Sequence, residues 1–196
     1  MSGMDIGIAF FLRNPPRWRI PFPDFYREKL AQIRFAEELG FDTAWIGEHH
    51  FSEDGYLPSP MPFLSAMATA THRIRIGTNV LLLPLHHAIR LGEDVALVDI
   101  LCNGRLDLGL GQGYAVGEFK GYGVPLQERG SRYEEGVNVM RGMWEQDGFS
   151  FVGKHYQVDN IRLNPKPVQR PHPPLWGGGN SDKAIARIAR LGMHLI

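Results

Sequence analysis

The sequence predicts an α/β protein built on a parallel sheet. Three observations carry this. Short β-branched and aromatic runs alternate with runs of helical period, glycines and prolines punctuate the junctions, and no repeat or second domain interrupts the series. Composition agrees with a globular domain: 196 residues, 43% hydrophobic and 21% charged, long enough to enclose one sizeable core.

Met4 to Phe11 is the first strand. A loop carrying Pro15, Pro16, Pro21 and Pro23 follows, and Asp24 is expected to cap a helix whose apolar face is Phe25, Leu30, Ile33, Ala36 and Leu39, stopped by Gly40. Phe41 to Gly47 is the second strand and ends in Glu48-His49-His50-Phe51. Beyond a loop with Gly55, Pro58, Pro60 and Pro62, a helix is expected over Phe63 to Thr71. Ile74 to Leu83 reads as the third strand, stopped by Pro84, and Arg90 to Leu101 as the next helix, closed by Asn103-Gly104.

Arg105 to Leu110 is the fourth strand and runs into Gly109-Leu110-Gly111-Gln112-Gly113-Tyr114. A longer helix covers Arg129 to Trp144, and Phe149 to Lys154 reads as a small exposed hairpin. Asn164 to Pro174 holds five prolines and is expected to be extended. Leu175-Trp176-Gly177 is the fifth strand, Ser181 to Leu191 a helix, and Gly192 to Ile196 begins a sixth strand. Five βα units and part of another do not close a barrel of eight parallel strands, which takes about 250 residues. The expectation is one domain over residues 1–196, either a piece shortened at its C-terminal side or a natural short form that buries its sheet edge in a partner.

Charge and cysteine content narrow the function classes. The 21 basic and 21 acidic side chains cancel, which argues against a nucleic-acid or membrane-surface role. No apolar run approaches the roughly 20 residues that span a bilayer, and the single cysteine fits a reducing, cytoplasmic setting. Cys102, at a helix end, reads as a small semi-buried hydrophobe and not as a nucleophile.

In a parallel barrel, reactive groups gather at the C-terminal strand ends, which here are residues 48–51, 79–87, 111–118 and 177–181. Side chains alternate along a strand, so His49 and His50 are expected to point different ways. They make a poor metal pair; one histidine facing a pocket suits proton transfer, with packing or hydrogen bonding as the other reading. Gly109-x-Gly111-x-Gly113 carries Tyr114 where the dinucleotide fingerprint has its last glycine, so no NAD site is indicated. Those glycines admit either a flat ligand or a tight turn. Gly177-Gly178-Gly179-Asn180-Ser181 opens a helix, where free N–H groups and the helix dipole favour an anion; an ordinary N-cap explains Ser181 equally well.

Taken in order, these segments resemble the bacterial luciferase-like flavin-dependent monooxygenases. The matching pieces are Gly40 to Phe51, Ile76-Gly77-Thr78-Asn79 with Leu83-Pro84, Asn103 to Gly109, Gly113, Glu118-Phe119, Pro165 to Gln169, Pro171 to Pro174, and Gly178 to Ser181. The resemblance implies a TIM (β/α)8 barrel, here incomplete, that binds reduced FMN at its C-terminal mouth. It also implies O2 as co-substrate and oxidation of a small, aldehyde-like organic substrate through a peroxyflavin. His49 is the implied catalytic histidine, acting as general base, with Glu48 orienting or supporting it. Asn79 and Val80 are implied to lie beside the flavin ring across a non-proline cis peptide. Gln112 is implied near the flavin phosphate, together with Gly179, Asn180 and Ser181, and Tyr114 is implied to contact the cofactor. A separate NAD(P)H:flavin reductase and a homodimer are the implied partners. The luciferase catalytic cysteine is replaced by Gly111, so light emission is not implied. Two alternatives remain: an F420-dependent oxidoreductase on the same fold, which Glu48-His49-His50 disfavours, and a non-catalytic flavin-binding short form.

Overall fold

Each βα step returns the chain to the same sheet edge, so the strands add one after another. The computed structural model describes residues 4–196. In chain order the elements are β1 (Gly7–Phe10), α1 (Phe22–Glu38), β2 (Thr43–Ile46), α2 (Pro60–Ala70), β3 (Arg75–Thr78), β4 (Leu81–Leu82), α3 (Ala88–Leu101) and β5 (Leu106–Gly111). They continue with α4 (Val116–Gly121), α5 (Arg129–Glu145), β6 (Phe149–Val152), β7 (Gln157–Ile161), β8 (Leu175–Gly178), α6 (Asp182–Arg190) and β9 (His194–Leu195). The main sheet is parallel in the order β1-β2-β3-β5-β8-β9, with β4 also paired to β5.

The sheet is bent into the wall of a barrel. Trp45 on β2 and Trp176 on β8 touch edge to face at 5.7 Å, although two strands lie between theirs. A flat sheet would hold such positions about 14 Å apart, three strand spacings. The register Trp45↔Gly77↔Asp107 puts a glycine beneath the Trp45 ring, and a Cβ at Gly77 would lie 2.6 Å from it. The alternate residues, Ala44, Ile46, Ile76, Leu106, Leu108, Leu110 and Leu175, face the helices and are buried. α5 completes that layer with Tyr133, Val137, Met140 and Trp144, whose indole N–H donates to the Gly92 carbonyl at 3.0 Å. The result is the open arc of an incomplete TIM barrel, with β1 and β9 as its edges.

Several local expectations are corrected. Asp24 does not cap α1. The helix starts at Phe22 with Pro23 in its first turn, where a missing N–H costs nothing, and Asp24 instead pairs with Arg27 at 2.7 Å. α2 likewise begins at Pro60, earlier than Phe63, with Pro60 and Pro62 in its first turn. The third strand is not continuous. β3 ends at Thr78, the Asn79–Val80 peptide is cis as expected, β4 is two residues long, and Leu83–Leu85 is a 3-10 turn. Residues 164–174 are not one extended run, since they bend repeatedly with cis Asn164–Pro165 and Arg170–Pro171 peptides. The hairpin is longer than residues 149–154 and only partly exposed, because Phe149 packs where Gly142 of α5 leaves room. The short α4 has no counterpart in the sequence reading.

Candidate active site

The C-terminal strand ends frame a cleft of about 510 Å³. Glu48, His49, Asn79, Val80, Gln112, Tyr114, Gly179, Asn180 and Ser181, which are spread over much of the sequence, all line it.

 All of the residues singled out from the sequence therefore meet at one cleft, because each lies at or just beyond the end of a parallel strand.

The two histidines point different ways, as their alternation on the strand requires. The His49 ring is 32% exposed, and its Nδ1 lies 2.8 Å from Glu118 Oε1. A carboxylate only accepts, so Nδ1 carries the proton and Nε2 is left as the ring's free position. His50 turns inward: its Nε2 donates to Glu48 Oε1 at 2.8 Å, and Tyr122 Oη lies 3.1 Å from its Nδ1.

Glu48, expected to orient or support His49, makes no hydrogen bond to it among the described residues. Its buried carboxylate takes His50 and His86 on Oε1, the latter at 2.7 Å, and the Leu82 N–H on Oε2 at 2.6 Å. Burial by itself would raise the Glu48 carboxyl. The hydrogen bonds from His50, His86 and Leu82 outweigh that and hold it down at about 2. Glu48 thus ties the end of β2 to the segment beyond the Asn79–Val80 turn.

The orienting role falls to Glu118 on α4. Its side chain is 5% exposed, and Oε1 accepts from both His49 Nδ1 and the His50 N–H at 2.9 Å, while Oε2 has no partner among the described residues. Glu118 lies inside the strand-end segment 111–118, but nothing in its spacing pairs it with a residue 69 positions away. Tyr56 and Arg129, which also line the cleft, were missed for the same reason.

The glycines serve close approach. A Cβ at Gly111 would overlap a Val80 methyl, and one at Gly178 would lie 2.7 Å from the other, so Val80 lies across β5 and β8 at the cleft wall. At Gly113, φ is +72° and a Cβ would press on Phe119. Ser181 is the N-cap of α6, its Oγ accepting the Ala184 N–H at 3.3 Å, which leaves its own proton free to donate. Gln112 Oε1 accepts from Arg187 at 2.8 Å, and its Nε2 is a buried donor with no acceptor among the described residues. Tyr114 is 75% exposed and meets the His49 ring edge to face. Cys102 is fully buried, and burial raises its thiol, as expected of an inert cysteine.

This donor set fits FMN. A glycine-backed wall at Val80 suits a flat ring, and the start of α6, the Ser181 hydroxyl and Arg129 suit a phosphate. Among the described residues, no helix is long and apolar enough to cross a membrane.

Comparison with known proteins agrees. The family model for luciferase-like monooxygenases matches residues 4–196. The chain is 34% identical over 173 residues to an FMNH(2)-dependent dimethylsulfone monooxygenase of Pseudomonas putida, covering 85% of this chain and 46% of that one. It is 30% identical over 141 residues to an F420-dependent glucose-6-phosphate dehydrogenase of Amycolatopsis mediterranei, covering 68% and 42%. The crystal structure of the monooxygenase RslO1 from Streptomyces bottropensis superposes with a TM-score of 0.91 at 29% identity, over 98% of this chain and 59% of that one. The chain spans about half the length of the curated relatives it matches.

Proposed function

The chain belongs to the luciferase-like monooxygenase family, and from that premise we propose that it serves a two-component monooxygenase that uses reduced FMN and O2 to oxidise a small organic substrate. The observation that carries the reading is the His49–Glu118 pair at the cleft wall, beside the glycine-backed face and the start of α6.

Reduced FMN, when bound, supplies the electrons that let O2 deliver one oxygen atom to substrate and the other to water. The residues of this chain do the rest. Glu118 fixes the His49 tautomer, so Nε2 accepts a proton in the cleft and can return it. Val80, Gly111 and Gly178 would wall the flavin ring, while Arg129, Ser181, Gly179, Asn180 and Gln112 would hold its phosphate. Glu48 acts at one remove by fixing His50 and the Leu82 segment. A separate NAD(P)H:flavin reductase supplies the reduced cofactor, and a homodimer is the proposed assembly.

The test is anaerobic titration of the chain with reduced FMN, followed by admission of O2 and a panel of small aldehydes, ketones and sulfones. The expected result is binding, then substrate-dependent oxygen uptake that His49→Ala lowers roughly 10²- to 10⁴-fold. Hydride transfer to F420 without oxygen uptake would move the chain to deazaflavin chemistry. Flavin binding with no turnover that His49→Ala alters would make it a binding module.

A further inference from the structure

Tyr56 reaches the cleft from the loop between β2 and α2 and has no part in the scheme above. The residue is only 8% exposed, and its hydroxyl tip occupies the space that Gly47 leaves free, since a Cβ there would lie 2.5 Å from it. The hydroxyl has no hydrogen-bond partner among the described residues, yet it is not one of the sealed, unsatisfied polar atoms, so it opens into the cleft. A buried tyrosine hydroxyl ordinarily finds a partner.

Its position is fixed. The Tyr56 N–H is held by Ser52 Oγ and Asp54 Oδ1, and the Arg13 guanidinium, paired with Asp54, lies 5.5 Å from the ring centroid. The ring meets His49 edge to face at 5.0 Å. The features that suit FMN belong to the β3–β4 turn, β5, β8 and the starts of α5 and α6, whereas Tyr56 comes from the loop after β2, beside His49.

We infer that Tyr56 is a specificity-determining residue: its hydroxyl donates a hydrogen bond to an oxygen of an uncharged organic substrate held against His49 and Tyr114. The inference rests on the monooxygenase reading of the cleft. Burial raises the phenol, with Arg13 opposing by less, so it remains a neutral donor.

The test uses two probes of one shape, acetophenone and α-methylstyrene, in which a CH2 group replaces the carbonyl oxygen, titrated into the chain and into Tyr56→Phe by NMR, with FMN affinity measured in parallel. The expected result is a preference for acetophenone of about tenfold, as one hydrogen bond supplies, lost in Tyr56→Phe at unchanged FMN affinity. No preference in the parent chain, a preference that survives in Tyr56→Phe, or a loss of FMN affinity instead would each overturn the assignment. Failure of FMN to bind either protein would count against the monooxygenase reading, while the probe pair would still report on Tyr56.

Discussion

Replacing Glu48 by glutamine tests whether the buried carboxylate holds the cleft wall together. Glutamine keeps the shape, but its one oxygen can accept at most two of the three bonds from His50, His86 and the Leu82 N–H, and its NH2 faces the remaining donor. The folded carboxyl titrates at about 2, against 4.5 for the ordinary group. That depression is worth roughly 3 kcal/mol at neutral pH, at about 1.4 kcal/mol per unit. Because the folded value is the lower one, the contribution is complete above about pH 4.5 and is lost as pH falls towards 2. By pH 3.5 about two-fifths of it has gone. Urea denaturation of parent and Glu48→Gln from pH 7 down to 3 should therefore show a stability gap that narrows below pH 4.5. A gap of constant size across that range would refute the reasoning.

Three further outcomes follow from the same geometry. Gly111→Ala drives a methyl into Val80 and should weaken FMN binding by about tenfold, with Val80→Ala restoring it in the double variant; calorimetry reads both. Glu118→Gln removes the charge from the acceptor shared by His49 and the His50 N–H, and should lower turnover at least tenfold while FMN affinity holds, as steady-state kinetics would show. Arg129→Ala should weaken FMN by about tenfold and leave riboflavin, which lacks the phosphate, unchanged in a parallel fluorescence titration.

Much of the fold was legible because the strands are buried on their helix-facing side and announce themselves as apolar runs, as Ile74-x-Ile76 and Leu106-x-Leu108-x-Leu110 do. Helix starts were less legible. Pro23, Pro60 and Pro62 look like loop residues until a first turn is seen to accept them. The break in the third strand was visible only through resemblance, since Thr78 turns on hydrogen bonds to the Gly109 backbone that no local pattern encodes.

The sequence by itself determined the alternation of strands and helices, the strand ends at which polar residues gather, and the opposite facing of His49 and His50. Those properties follow from side-chain periodicity and from the φ that glycine and proline allow, and both act over a few residues. Only the tertiary structure decided that Glu118 and not Glu48 holds His49, that Val80 lies across two glycines, and that Tyr56 presents a free hydroxyl. Such pairings join residues that are distant in sequence, and they exist only once the parallel sheet bends and brings its strand ends around one cleft.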